Sequence, residues 1–175
     1  MADIVRTKGR PPRAAAPPLP AFERLDRTHA RVLELLAQFD RLLDHVDENG
    51  ADDFARASAA EIHAFFERHA REHHAAEERE VFPLLAASTD PALVDAVRRL
   101  QQDHGWLEED WRELAPQIDA IAKGYRWYDL AMLRLALPVF SALYHEHIGL
   151  EESLVYPEAK QRQAVIDAGA KARSA

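Results

Sequence analysis

Two segments of this chain carry the same short pattern of side chains able to hold a metal. His73-x3-Glu77-Glu78-x2-Val81-Phe82-Pro83 is echoed by His147-x3-Glu151-Glu152-x2-Val155-Tyr156-Pro157. A histidine and a glutamate four residues apart share one helix face and together offer a nitrogen and one or two oxygens. His104-x3-Glu108 repeats the spacing, and His29 adds a further imidazole. Such mixed imidazole and carboxylate donors suit iron, manganese or zinc. The chain has nine histidines in 175 residues and no cysteine. Disulfides, thiolate zinc sites, iron–sulfur clusters and a cysteine nucleophile are therefore excluded. The zincin pattern His-Glu-x-x-His, the Glu-x-x-His pairs of ferritin-like bundles, Gly-rich phosphate loops and a Gly-x-Ser-x-Gly elbow are absent too.

Four helices are expected to position these residues. From 21 to 158 the apolar residues recur with a 3.6-residue period, and no alternating β-branched pattern competes. The periodicity predicts helices over about 21–46, 52–86, 91–122 and 129–157. Asn49-Gly50 marks the first turn, Thr89-Asp90-Pro91 the second, and Gly124 with the aromatic residues after it the third. Pro116 and Pro138 fall inside helical patterns and predict kinks or interruptions there. Short connections make neighbours antiparallel, so the expected fold is all-α, an up-down-up-down antiparallel four-helix bundle.

Advancing 100° per residue turns one histidine of each helix towards the interior. His29 lies at the edge of the first apolar stripe, His73 with Glu77 on the second, His104 near the centre of the third, and His147 with Glu151 on the fourth. Residues equidistant from a turn share a height in an antiparallel pair. The midpoints of His29/His73, His73/His104 and His104/His147 are 51, 88.5 and 125.5, each in or beside a predicted turn. The four imidazoles therefore meet in one layer, to within about one helical turn. Burying them with carboxylates and no cation costs on the order of several kcal/mol for each charge. Seven donors (His29, His73, Glu77, His104, Glu108, His147 and Glu151) exceed what one tetrahedral ion needs. Two ions bridged by Glu77 and Glu151 fit better.

The constellation resembles the hemerythrin-like, or HHE cation-binding, family. The resemblance rests on His29, His73-x3-Glu77, His104 and His147-x3-Glu151, with the Glu-Glu-x2-Val-aromatic-Pro tails, and covers about 25–158. It implies a non-haem di-iron centre, Fe2+/Fe3+, bridged by carboxylates and an oxo or hydroxo group. Dioxygen, nitric oxide, peroxide or iron itself is then the expected chemical partner. Oxygen carriers of the family have a second histidine where this chain has Glu108. A harder, more anionic donor set favours ferric iron, so redox turnover of peroxide or nitric oxide, sensing or iron handling is expected over reversible oxygen carriage. The alternative is a non-enzymatic iron sensor or store acting through a protein partner.

The remaining histidines receive plainer expectations. His45 sits near a helix end, where an imidazolium is favoured by the dipole. The phase puts His74 about 100° round from His73, towards the flank, and His63, His69 and His145 also off the centre. Tyr144, one turn before His147, reads as core packing, or else as a hydrogen-bond donor to a ligand.

The rest of the composition narrows the setting. A net charge of −8 and a pI near 5.6 argue against nucleic acid as a partner. No apolar run reaches the length of a membrane span, and no signal-peptide core is evident, so a cytoplasmic location is expected. Residues 1–20 hold five of the ten prolines and four basic residues, and read as a disordered Pro-rich basic leader. Residues 159–175, rich in Ala, Lys, Arg and Gln, read as a C-terminal tail or a frayed helix.

Overall fold

A computed structural model describes residues 21–174. The expected leader, 1–20, lies outside the described residues. Among the described residues every regular element is helical. Helix α1 spans Ala21–Asn49. A second arm is built from α2 (Asp53–Ala64), a π-helical turn (Phe65–Ala70), α3 (Arg71–Glu80) and the short α4 (Phe82–Leu85). Helix α5 spans Pro91–Ala122. The fourth arm runs through α6 (Leu130–Leu150), a π-helical turn (Glu151–Val155) and α7 (Tyr156–Ser174). The four arms pack as a bundle, α1 and α5 each lying against both α2 and α6.

Local chemistry sets the boundaries. Asp52, Asp90 and Asp129 accept hydrogen bonds from the amides of Ala55, Ala92 and Met132, and so cap the second arm, α5 and α6. Gly50 and Gly124 close α1 and α5 with φ of +73° and +72°, a conformation other residues adopt at a cost. Pro116 and Pro138 do not interrupt their helices. The carbonyl that each ring deprives of its partner belongs to Arg112 or Arg134, both at the surface, where water can serve it. The breaks in α-helical winding fall at the two π turns and at Val81. The fourth arm also continues as helix to Ser174, well past the expected end at 157.

The buried side chains form two apolar clusters with a polar layer between them. One runs from Val32 to Val46 on α1 and takes in Phe66, Leu107, Trp111, Phe140 and Tyr144. The other gathers Leu25, Val81, Phe82, Leu100, Val155 and Tyr156. Along each arm the histidines and glutamates lie between the two. Among the described residues, no helix is long and apolar enough to cross a membrane.

Candidate metal centre

Each arm contributes to the layer between the apolar clusters. Helix α1 supplies His29, α3 supplies His73, His74 and Glu77, α5 supplies Asp103 and His104, and the fourth arm supplies His147 and Glu151. All eight side chains are buried, Glu77 and Glu151 completely. Their donor atoms fall into three overlapping groups: His29, His73, Glu77 and Glu151; Glu77, His104, His147 and Glu151; and His74, His104 and His147. Within each group one donor atom per residue lies within 4.8 Å of the others.

The two glutamates face both ways. Oε1 of Glu77 lies 3.1 Å from His73 Nε2 and 3.7 Å from His29 Nε2, while its Oε2 lies 3.4 Å from His104 Nε2. Oε2 of Glu151 lies 3.1 Å from His29 Nε2, and its Oε1 lies 3.3 Å from His147 Nε2. Two of the imidazoles are hydrogen-bonded from behind by a carboxylate at Nδ1, and a third faces one at longer range. Glu152 lies 3.0 Å from His29, Glu78 lies 3.0 Å from His104, and Asp103 lies 3.6 Å from His147. Such a contact fixes the ring and directs Nε2 inward, the arrangement common behind metal-binding histidines. The second glutamate of each repeated motif therefore serves the histidine of a neighbouring arm.

The polar atoms of this layer are under-satisfied. Among the described residues, eleven buried side-chain nitrogens and oxygens lack a hydrogen-bond partner, and every one belongs to His73, His74, Glu77, Asp103, His104, His147 or Glu151. An unsatisfied buried polar group costs about 1–3 kcal/mol, so together they would consume the net stability of a typical domain, about 5–15 kcal/mol. Protons relieve part of this. Burial works against a charged imidazole at His29, but the carboxylates of Glu151, Glu77 and Glu152 outweigh it and raise its pKa to about 10. His104 is raised from its ordinary value in the same way, burial being outweighed chiefly by Glu77. Burial would raise Glu77, yet His104, His29 and His73 hold its carboxyl well below the ordinary range. His74 goes the other way: burial and the neighbouring His104 keep its imidazole neutral, the form that binds metal.

Comparison with known proteins agrees with this geometry. The hemerythrin HHE cation binding domain matches residues 21–159. The chain belongs to the hemerythrin HHE cation-binding family. It is also 28% identical over 133 residues to an uncharacterized protein of Haemophilus influenzae, covering 76% of this chain and 75% of that one. No solved structure matches it. An HHE domain binds metal cations, and the cluster of buried donors in this chain is of the right chemistry to do so.

Of the seven donors expected from the sequence, the HHE fold brings six together: His29, His73, Glu77, His104, His147 and Glu151. Glu108 stays out. Its side chain is 32% exposed and lies 3.8 Å from Arg71, at the surface between α3 and α5. The inward position is taken by His74, whose ring stacks on His104 at 4.1 Å. Uniform winding puts His74 on the flank, but the π turn at Phe65–Ala70 takes about one extra residue to close. That turns every later side chain back by up to about 100°, so His73 leans towards α1 and His74 towards α5. His145 does lie outside, its ring nitrogen 2.7 Å from the carbonyl of Ser141. Tyr144 is buried in the core beside His74.

Two residues of the centre were not anticipated. Asp103 immediately precedes His104, and its only sequence signal was an acid beside a candidate ligand. Tyr156, in the tail of the second motif, donates its hydroxyl to Glu77 and lies 3.2 Å from His29 Nε2. Burial and the nearby Glu77 and Glu151 charges raise its pKa, so the phenol keeps its proton.

Proposed function

We propose that this chain holds two iron ions and uses them to bind or reduce a small ligand such as dioxygen, nitric oxide or peroxide. The concentration in one layer of the eleven unpartnered buried polar atoms found among the described residues carries the reading. His29 and His73 would hold one ion, His74, His104 and His147 the other, and Glu77 and Glu151 would bridge them. The donors are imidazoles and carboxylates without a thiolate, a set that suits iron. Iron bound there supplies a change of oxidation state and a coordination position open to a small ligand. The protein's share is to fix the ligands and keep the layer dry: Glu78 and Glu152 orient two imidazoles, and the apolar clusters seal both ends. We take the four arms to alternate in direction, up-down-up-down, as their short connections require.

Protein produced with iron supplied should contain about two irons per chain by elemental analysis. Zinc alone, or a single ion, would overturn the di-iron reading. Stopped-flow absorbance of the reduced protein mixed with oxygen then tests the ligand chemistry. An absorbance change tied to iron oxidation is expected, and the absence of any reaction would leave only metal binding.

A further inference from the structure

Helix α6 is apolar on its outer side as well as its inner one. From Leu130 to Tyr144 its one charged side chain is Arg134, which Asp44 and Asp47 of α1 hold at 3.3 and 3.1 Å. Leu135 and Val139 point outward, 79% and 64% exposed. With Ala131 and Ala142 they form a stripe at spacings of four, four and three residues, which is one helix face. A helix apolar all round is normally covered on every side.

Helix α5 borders the stripe. Arg99 donates to Glu146 at 2.6 Å, and the side chain of Gln117 accepts from the amide of Asp129 at 2.7 Å. These two contacts fix the levels between the helices, and they set Trp106 between the levels of Val139 and Ala142. Trp106 lies three residues on from Asp103, which faces His147 at 3.6 Å, so it shares the α6 side of α5. It is 51% exposed. A tryptophan at the edge of an aliphatic stripe is the kind of anchor that dominates protein interfaces.

We propose that two copies of this chain pair through this face, α6 against α6, about a two-fold axis. Three observations select a second copy as the occupant. The first is order. Ala131, Leu135, Val139 and Ala142 read small, large, large, small in both directions, about a midpoint near 137. A two-fold axis there sets Leu135 of one copy against Val139 of the other and alanine towards alanine, the self-complementarity that an isologous interface needs. The second is charge. At −8 each, two copies repel one another, and the stretch from Leu130 to His145 brings no acid to the contact. The charges at its ends are opposite: Arg126 is exposed at one, and Glu146 is 66% exposed at the other. Their midpoint is 136, so the same axis carries Arg126 of each copy towards Glu146 of the other. The third is area. From Ala131 to Glu146 the stripe runs about 24 Å, and with the flank of α5 it is about two helix widths, ~20 Å, across. Two such faces cover about 1,000 Å² together, the size at which a specific pair begins to hold. The pairing is therefore reversible and of moderate strength.

Sedimentation velocity of the full chain, from low to high micromolar concentration, tests this. The parent should move from the 19.8 kDa monomer to twice that mass as concentration rises. Leu135→Glu places like charges on both sides of the axis and should weaken pairing at least about a hundredfold. Val165→Glu, at a 69% exposed position on α7, should pair as the parent does. Both substitutions are at exposed positions, and circular dichroism checks that the helices are kept. The absence of cysteine supplies a second measurement. A short bis-maleimide should join Leu135→Cys into a covalent dimer and leave Val165→Cys as monomer. A parent that stays monomeric throughout would overturn the proposal, whether the face is bare or covered by residues 1–20. A dimer that Leu135→Glu leaves intact, or that Leu135→Cys fails to cross-link, would overturn this face as the interface.

Discussion

The half of the centre around His29 and the half around His104 are built from one repeated motif and end up with different surroundings. In each, a glutamate from a neighbouring arm holds Nδ1 of the histidine at 3.0 Å. In each, the aromatic residue of the motif tail stacks on that histidine: Tyr156 on His29 at 5.3 Å and 14°, Phe82 on His104 at 5.8 Å and 15°. The differences are two. Tyr156 has a hydroxyl aimed at Glu77 where Phe82 has none, and the position after His73 is a histidine where the position after His147 is Ile148. The first half is therefore sealed and hydrogen-bonded. The second has an additional neutral imidazole and open space beside it. A repeated motif gives the shared framework; single residues decide what surrounds each half.

The residues common to both halves should matter most. Glu77→Ala removes the carboxylate that faces His29, His73 and His104 together, so the two halves should fail at once. Bound metal should fall from about two ions per chain to nearly none by elemental analysis. The metal-free protein should also lose about 3 kcal/mol or more in chemical denaturation, because His29 keeps its charge with one partner fewer. Retention of one ion in Glu77→Ala would show that the halves are independent and that Glu77 does not bridge.

His74 tests the asymmetry directly. His74→Ala should remove metal from the His104 side and leave the His29 side largely loaded, about one ion per chain. His73→Ala should do the reverse. His145→Ala, at the surface, should keep both. If His74→Ala binds as much metal as the parent, the inward imidazole is packing only, and the second half has His104 and His147 as its nitrogen donors.

How far these contrasts could be read from the sequence depends on the regularity of each helix. The arms, the capping Asp90 and Gly50 and Gly124 were legible, because caps and turns are local chemistry. The layer containing His29, His73, His104 and His147 was legible from the symmetry of their spacings about the turns. His74 was not, since a π turn leaves the apolar period nearly intact while shifting everything after it by one position. Glu108 differs for another reason: its four-residue spacing from His104 is a property of α5 alone, and says nothing of His74 on the neighbouring arm, which claims the inner position. Asp103 and Tyr156 depend on contacts between arms, which no periodicity encodes.

Protonation offers a third contrast, between the metal-free and metal-loaded protein. With its pKa raised from 6.5 to about 10, His29 contributes stability fully below pH 6.5, and the contribution is lost as pH rises through about 10. Glu77 is shifted down, so its contribution is present above pH 4.5 and is lost as pH falls through its lowered value. The metal-free protein should therefore lose thermal stability between about pH 6.5 and 10. The loaded protein should hold its stability there, because metal replaces the protons and binds more tightly as they leave. Parallel melting curves that fall together over this range would mean that the ions do not occupy the His29 side.

The smallest expected effect isolates the one hydroxyl by which the halves differ. Tyr156→Phe keeps the ring stacked on His29 and makes that half resemble the Phe82 half. The hydroxyl donates to a buried carboxylate, so its removal should destabilise the metal-free protein by about 2 kcal/mol, measured by chemical denaturation. Phe82→Tyr is the reciprocal change. Its new hydroxyl should not bring an equal gain, because Glu77 already has its phenol donor and Glu78 already engages His104. The double variant then reads the comparison itself. If exchanging the two rings costs no more than Tyr156→Phe alone, the halves differ only in where the hydroxyl is useful. If Phe82→Tyr restores what Tyr156→Phe removes, the hydroxyl works equally well from either side of the bridging glutamates. The sealing of the His29 half would then owe nothing to it.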